Sequence, residues 1–126
     1  MFEVEYHKSA DALLVTIAED LSLDLYRRVM AAILSHPVFR PGINVIYDIR
    51  QVSGLTLTSH EIRHVADYAK TLAPRRGESW KAAIVVSGTL AFGLARMFEI
   101  MSNGAPFTVR VFRSMEDAIT WLSSGE

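Results

Sequence analysis

Three continuous apolar runs, separated by segments with helical spacing, constrain the fold of this chain most. The runs are ALLVTIA (12–18), INVIYDI (43–49) and WKAAIVVS (80–87). Short apolar runs without alternation are typical of strands that are covered on both faces. In the segments between them, apolar residues recur every three or four positions, which indicates helices. Strands that alternate with helices predict a mainly parallel sheet with helices packed against it.

Two further strands are predicted at the ends of the chain. FEVEYH (2–7) alternates apolar and polar residues, and FTVRVFR (107–113) is also half polar. Strands with one solvent-exposed face are typical of the edges of a sheet. The predicted order is therefore β-β-α-β-α-β-α-β-α. We expect an α/β fold with a single mixed, mainly parallel five-stranded sheet flanked by four helices. Because no linker or repeat interrupts it, residues 1–126 are expected to form one domain.

Polar residues that favour helix starts define the predicted helices. The helices are expected at Leu21–His36, from Thr58 or Ser59 to about Ala73, from Thr89 to about Ser102, and after Ser114. Ser22, Thr89 and Ser114 are the predicted N-caps. Glu61 lies three residues after Thr58, a spacing that predicts a capping box.

Composition excludes several classes of function. The chain has 126 residues, a net charge of -1 and a pI near 6.4, so no basic face for nucleic acid is expected. The densest basic cluster is the pair Arg75 and Arg76. Cysteine is lacking, which rules out disulfides and thiolate chemistry. The sequence has no signal-peptide pattern and no apolar run long enough to span a membrane, so a cytoplasmic location is expected.

The stretch HEIRH (60–64) matches the H-E-x-x-H motif of zinc metalloproteases. On a helical wheel, however, His60 and His64 lie opposite the apolar stripe and are expected to face water. Arg63 places a fixed cation inside the motif, and the capping box already accounts for Glu61. We therefore predict a solvated helix face, with no catalytic residue, no metal ligand, no cofactor and no enzymatic activity. A zinc hydrolase is the remote alternative.

A candidate ligand site lies where two predicted strands end. Asp48 closes the middle strand, and Gly88 and Thr89 form the turn into a helix. Open α/β sheets bind ligands at the carboxyl ends of strands, and helix N-termini attract anions. The alternative is structural: Asp48 pairs with Arg50, and Thr89 is only an N-cap.

The helix LAFGLARMFEIM (90–101) is unusually apolar and carries the candidate interface. The wheel predicts that Leu90, Leu94, Met97 and Met101 face the core. The wheel places Phe92 on the solvent-exposed side of the helix, near Arg96 and Glu99. An aromatic ring there suggests a contact surface formed by Phe92, Arg96 and Phe98. The alternative is a phenylalanine that a loop covers.

Several segments resemble a family of small bacterial domains. YDIR, HPVFRPG, FGLARMFE and VFRSMEDAITWL, in this element order, resemble the SpoIIAA-like or STAS-like group over nearly all of the chain. The resemblance implies a fold that acts by binding partners. In its anti-sigma-factor antagonists a serine after the middle strand is phosphorylated within a D-S-S-G-type motif. The stretch SGLTLTSHEI lacks that motif, which leaves Thr58 and Ser59 as positional candidates, with Thr56 as a further hydroxyl.

The expected function follows from these observations and from the resemblance. We expect a non-catalytic STAS-like regulatory or interaction module that acts through protein–protein contacts, as a homodimer or with another protein. The alternative is a binder of a small apolar, lipid-like or anionic ligand near Asp48, Gly88 and Thr89. The similarity of the fold to CRAL-TRIO lipid-binding domains supports the apolar ligand by analogy.

Overall fold

The structure, a computed structural model, describes residues 1–52, 54 and 57–124. The strands are β1 (Phe2–His7), β2 (Ala12–Ile17), β3 (Asn44–Asp48), β4 (Lys81–Val85) and β5 (Thr108–Phe112). The helices are α1 (Leu23–Leu34), α2 (Ser59–Thr71), α3 (Ala73–Arg76), α4 (Thr89–Met101) and α5 (Met115–Ser123). All five predicted strands are present, and the α/β class is confirmed.

The sheet keeps the order of the chain, β1-β2-β3-β4-β5. β1 pairs with β2 in antiparallel orientation, and every later pair is parallel. In the register, Val15 lies opposite Tyr47, and Tyr47 lies opposite Ile84. β1 and β5 are the edges, as their half-polar patterns predicted, because an edge strand can keep one face in water.

The helices are distributed unequally between the two faces of the sheet. Three helical crossovers connect β2 to β3, β3 to β4 and β4 to β5. Each one moves the chain by one strand in the same direction across the sheet. Because such crossovers are right-handed, α1, α2 and α4 are placed on one face. Their buried residues form the main core with the inward side chains of the strands. α5 covers the opposite face, where Ala118, Trp121 and Leu122 pack on Ile46 and Val85.

Side-chain caps fix three of the predicted helix starts. The Ser22 hydroxyl accepts a hydrogen bond from the Leu25 amide at 3.0 Å. In α2 the Glu61 amide donates to Thr58 Oγ1 at 3.1 Å, and the Thr58 amide donates to Glu61 Oε1 at 3.0 Å. This capping box is confirmed, and so is the cap of α5 by Ser114.

One predicted helix boundary, one predicted cap and the predicted number of helices were wrong. α1 ends at Leu34, before His36. Gly88, with φ of 91°, is the N-cap of α4, and Thr89 is its first residue, so the predicted Thr89 cap is not formed. The described residues contain five helices where four were predicted, because α3 continues the chain after α2. Pro74 fits in the first turn of α3, where no backbone N–H is needed.

Candidate functional site

An apolar cavity of about 110 Å³ lies between the sheet and the helices α1, α2 and α4. It is placed towards the carboxyl ends of β2, β3 and β4, where open α/β sheets bind ligands. The sheet contributes Ile17, Tyr47, Ile49 and Ile84. The remaining lining residues are Leu21, Ser22, Leu25, Tyr26, Val29, Leu57, Ile62, Val65, Ala91, Leu94, Ala95 and Phe98. Among these lining residues, only Ser22 and the two tyrosines carry a side-chain oxygen.

The space is left by the small side chains on the inner face of α4. Ala91 and Ala95 are buried there and line the cavity. Alanine lets a helix lie over the sheet without filling the layer beneath it. Larger apolar residues of α1 and α2, among them Leu25 and Val65, close the cavity from the other sides. The arrangement creates a concave, mainly apolar site, which is the usual form of a small-molecule site.

Tyr47 forms part of the cavity wall. The residue is 7% exposed, and its buried hydroxyl interacts with the hydroxyl of Tyr26. Burial raises the pKa of Tyr47 to about 12, while the positive charge of Arg76 opposes that rise. Burial likewise raises the pKa of Tyr26 well above its ordinary value. Both phenols therefore remain protonated at neutral pH.

Arg76 is a buried cation whose charge acts on both tyrosines. It is 1% exposed, and its Nε, Nη1 and Nη2 atoms have no hydrogen-bond partner among the described residues. The guanidinium carbon lies 3.9 Å from the centroid of the Trp80 ring and 5.8 Å from that of Phe39. Burial lowers the pKa of Arg76, because water no longer solvates its charge.

The sequence did not single out Arg76 as a site residue. In the sequence, Arg76 was noted only because it forms a small basic cluster with Arg75. A signal was available in the neighbouring Trp80, because arginine and tryptophan often stack as a cation–π pair. The electrostatic effect of Arg76 on Tyr47 could not be inferred, since the two residues are distant in the sequence.

Asp48 and Arg50 form the predicted ion pair. Arg50 Nε donates to Asp48 Oδ1 at 2.9 Å, and Nη2 donates to Oδ2 at 2.9 Å. This bidentate bond with Arg50 lowers the pKa of Asp48, although burial partly opposes it. Asp48 and Tyr47 point to opposite faces of the sheet, because the side chains of neighbouring residues in a strand alternate between the two faces. Asp48, Gly88 and Thr89 do not line the cavity, so a ligand site at these residues stays a prediction.

The predicted orientation of α4 was only partly right, since Leu94 faces the interior at the cavity as expected. Leu90, which was expected in the core, is 62% exposed, whereas Ala91 and Ala95 are buried. Phe92 does not lie on a wet face: it packs against the main core, with the Arg113 guanidinium carbon 4.3 Å from its ring centroid. The helix is apolar on most sides, so its large residues gave no reliable indication of the buried face.

The other two predicted interface residues have different surroundings. Arg96 is exposed and forms an ion pair with Glu99 of the same helix. Phe98 is partly buried and lines the cavity. The three residues Phe92, Arg96 and Phe98 therefore do not form one outward surface.

The HEIRH segment lies in the first turns of α2 as predicted. His60 and His64 are both exposed, with ring centroids 4.4 Å apart. The hydrogen bond from the Thr58 amide lowers the pKa of Glu61, which keeps this carboxylate charged in the capping box. Over residues 1–52, 54 and 57–124, no three histidine, aspartate or glutamate side chains converge in a way that could hold a metal ion.

The candidate phosphorylation sites lie at the start of the same helix. Thr58 and Ser59 are exposed, and the Thr58 hydroxyl already serves as the helix cap. Thr56 lies outside the described residues. Exposure and capping do not show whether either hydroxyl is modified, so the phosphorylation of Thr58 or Ser59 stays a prediction.

A second, more open depression of about 520 Å³ lies at the other end of the sheet. It is lined by Asn44, Ser79, Lys81, Ala105, Pro106, Phe107, Thr108 and Leu122. This is the amino end of the parallel strands, which is not where sheets of this kind bind ligands. The apolar cavity is therefore the stronger candidate.

None of the helices in the described part of the chain has the length and apolar character needed to cross a membrane. No protein-family model and no curated protein matches the chain.

Among solved structures, the fold is similar to that of an uncharacterized protein of the DUF3478 family from Shewanella loihica, which has a SpoIIAA-like fold. The TM-score is 0.62 at 19% sequence identity, over 97% of this chain and 92% of that chain. At this identity the likeness shows the fold alone. The SpoIIAA-like fold that the sequence resemblance implied is confirmed.

Proposed function

We propose that this chain is a non-catalytic binding module with a SpoIIAA-like fold, and that it takes up a small apolar molecule in the cavity under α1, α2 and α4. The observation that carries the proposal is the cavity itself, which lies at the carboxyl ends of three strands and has an almost wholly apolar lining. The CRAL-TRIO analogy supports an apolar ligand, but the cavity is small for a long-chain lipid.

The volume indicates the size of the ligand. An apolar cavity of about 150 Å³ holds a benzene molecule, so a cavity of about 110 Å³ suits a small ring or a short alkyl chain. Empty apolar space is costly, at roughly 24 cal/mol per Å³, or about 2.5 kcal/mol for this cavity. A ligand that fills it restores dispersion contacts and should stabilise the folded chain.

The first test uses 1-hexanol as the probe. At ten times its Kd, the probe should raise the free energy of unfolding by about 1.4 kcal/mol, which is a rise in Tm of about 5 °C for a chain of this length. Differential scanning fluorimetry measures that shift. Nuclear Overhauser contacts from the probe to the rings of Tyr26 and Phe98 would locate it in the cavity.

A filled cavity provides the matched control. Ala95→Leu adds bulk inside the cavity and should remove the thermal shift, whereas Ala31→Leu makes the same change on an exposed position of α1 and should keep it. If Ala95→Leu does not fold, the Overhauser contacts in the wild-type protein decide. Equal shifts in both variants, or contacts to other residues, would contradict the proposal.

A second candidate function is contact with another copy of this chain through the outer side of α4. We define the α4 stripe as Leu90, Gly93, Met97 and Ile100. Leu90 is 62% and Ile100 is 61% exposed, an unusual exposure for two large apolar side chains on one helix. Arg96 and Glu99, the two charged residues of α4, pair with each other. An uncharged surface of this kind can pack against its own copy around a two-fold axis.

The α4 stripe predicts a change of assembly on mutation. If the wild-type chain sediments as a dimer, Leu90→Asp should give particles of monomer weight, because a carboxylate would be buried without a partner. Phe92→Asp is unsuitable here, since Phe92 packs against the core. Thr89→Asp adds the same charge beside the stripe and should leave the dimer intact. An unchanged dimer in Leu90→Asp would exclude this surface.

A further inference from the structure

We propose that the open depression at the amino ends of the parallel strands is a second ligand site, and that it binds a small organic anion through a carboxylate or phosphate group. The depression has a volume of about 520 Å³, which lies within the usual range for small-molecule sites. The amino ends of strands are not the usual place for a ligand, so the lining residues must carry the inference. The site is separate from the apolar cavity, which lies at the other end of the sheet.

Lys81 provides the charge of the site. Its side chain lines the depression and is half-buried at the start of β4. The Lys81 ammonium donates one hydrogen bond to the Trp121 carbonyl at 3.1 Å, so two of its three N–H groups remain for a ligand. No acid is among the described residues that line the depression, and no ion pair within residues 1–52, 54 and 57–124 involves Lys81. A cation without an opposite charge favours an anion at this place.

A second cation lies close to the first. The Arg110 guanidinium carbon is 5.6 Å from the centroid of the Trp121 ring, and the Lys81 ammonium is 5.1 Å from the same centroid. Arg110 and Thr108 lie on one face of β5, since they are two residues apart, and Thr108 lines the depression. Glu78, the acid closest to Lys81 in the sequence, is not a lining residue. Both cations therefore favour a negatively charged ligand.

Three uncharged polar side chains add hydrogen-bond donors to the site. Ser79 and Thr108 are exposed and Asn44 is half-buried, and all three line the depression. Asn44 Oδ1 accepts a hydrogen bond from the Lys81 amide at 2.8 Å, which holds the side chain in place and leaves its NH₂ group for another acceptor. Carboxylate and phosphate oxygens accept several hydrogen bonds at once, so they are complementary to this set of donors.

The backbone of Ser79 supports the site independently. Its φ of 60° lies in the left-handed region, which residues other than glycine seldom adopt. The Ser79 amide donates to the Pro106 carbonyl at 2.9 Å, and the Thr108 amide donates to the Trp80 carbonyl at 3.0 Å, so contacts between the two segments hold this conformation. Glycine would adopt it without strain. Strain of this kind is common at binding sites, and use of the hydroxyl by a ligand accounts for a serine here.

The rest of the wall indicates what accompanies the anionic group. The apolar lining residues are Ala105, Pro106, Phe107 and Leu122. The Phe107 ring stacks on Trp80, with centroids 4.5 Å apart and planes at 5°, so its position is fixed. We therefore expect a ligand that carries an apolar group, such as a ring, next to its carboxylate or phosphate.

The test compares three probes that share a ring: benzoate, phenyl phosphate and the neutral benzyl alcohol. Amide chemical shifts of isotope-labelled protein, at neutral pH and constant ionic strength, report binding residue by residue. The amides of Ser79, Lys81 and Thr108 should shift with at least one of the two anions, with a Kd on the order of 1 mM, the weak affinity of an open site. Benzyl alcohol should bind there at least about tenfold more weakly. Saturation by benzoate alone indicates a carboxylate ligand, and saturation by phenyl phosphate alone indicates a phosphate.

Two substitutions separate ligand binding from structure. Lys81→Gln removes the charge and should weaken anion binding about tenfold, whereas Lys81→Arg keeps the charge and should keep most of the affinity. Lys8→Gln removes the same charge from an exposed turn and should bind as the wild type does. Ser79→Gly should weaken anion binding about threefold or more, yet leave the Tm unchanged or raise it, because glycine relieves the left-handed strain. A serine with only a structural role would leave the affinity unchanged.

Several outcomes would overturn the second site. If benzyl alcohol shifts the amides of Ser79, Lys81 and Thr108 as strongly as both anions do, the depression does not recognise an anion. If the anion affinities are unchanged in both Lys81→Gln and Ser79→Gly, the anions bind elsewhere; if Lys81→Gln does not fold, Ser79→Gly decides. The absence of saturable shifts with either anion up to about 50 mM would also reject the site. None of these outcomes affects the apolar cavity, because its lining residues report binding separately.

Discussion

Replacing Gly77 with alanine is expected to lower the free energy of unfolding by about 3 kcal/mol or more. Gly77 ends α3 with φ of 95° and ψ of -179°, a conformation that residues with a side chain rarely adopt. A Cβ atom there would also lie 2.4 Å from the Gly42 nitrogen and 2.8 Å from the Pro41 carbonyl carbon. Urea unfolding followed by circular dichroism measures the loss.

The cause of this large effect is a contact between two turns. The Gly42 amide donates a hydrogen bond to the Arg76 carbonyl at 2.7 Å, which holds the turn before β3 against the end of α3. Backbone atoms cannot move aside as a flexible side chain can, so the two turns must separate. Gly93→Ala is the control, since its Cβ meets no atom within 4 Å and a helical glycine is less favourable than alanine. A Gly77→Ala protein as stable as wild type would disprove the contact.

Trp121→Ala is expected to cost about 3 to 5 kcal/mol, the usual range for a buried tryptophan. Trp121 is 8% exposed and belongs to α5, the helix that covers the second face of the sheet. Its ring centroid lies 5.5 Å from that of Phe112, and the Lys81 ammonium lies 5.1 Å from the Trp121 ring centroid. Because α1, α2 and α4 pack on the opposite face, they cannot replace the lost contacts.

Hydrogen exchange would show where this loss of stability acts. In Trp121→Ala the amides of α5 should exchange faster, while those of α1 keep more of their protection, because the two helices pack in separate cores. Leu90→Ala removes an exposed side chain and should change the free energy of unfolding by less than about 0.5 kcal/mol. Uniform loss of protection in both cores would contradict this view of α5.

The strands and caps could be predicted from the sequence because each depends on residues that are close in the chain. The apolar run at 43–49 identified β3, and the half-polar pattern of residues 2–7 identified β1 as an edge. Thr58 and Glu61 are three residues apart, so their capping box was visible before any fold was known. The pairing of Asp48 with Arg50 was also a local contact.

The cavity and the buried cation could not be predicted because they depend on contacts between distant segments. The inner face of α4 is marked by small residues, Ala91 and Ala95, whereas a hydrophobic wheel is dominated by large ones such as Leu90. Arg76 and Tyr47 are far apart in sequence, and only the packed structure shows that they act on each other. Unfilled space is a property of several elements together and leaves no signal in any one of them.

The agreement between strand order and chain order has a consequence for folding. Each strand pairs with the strand that precedes it in the chain, so most of the sheet forms between segments of moderate sequence separation. The parallel pairs still join distant residues, such as Asp48 and Val85, so an intermediate contact order and an intermediate folding rate are expected. During synthesis, each new strand would emerge from the ribosome when its neighbour is already available for pairing. Trp121, which completes the second core, would arrive last and finish the fold.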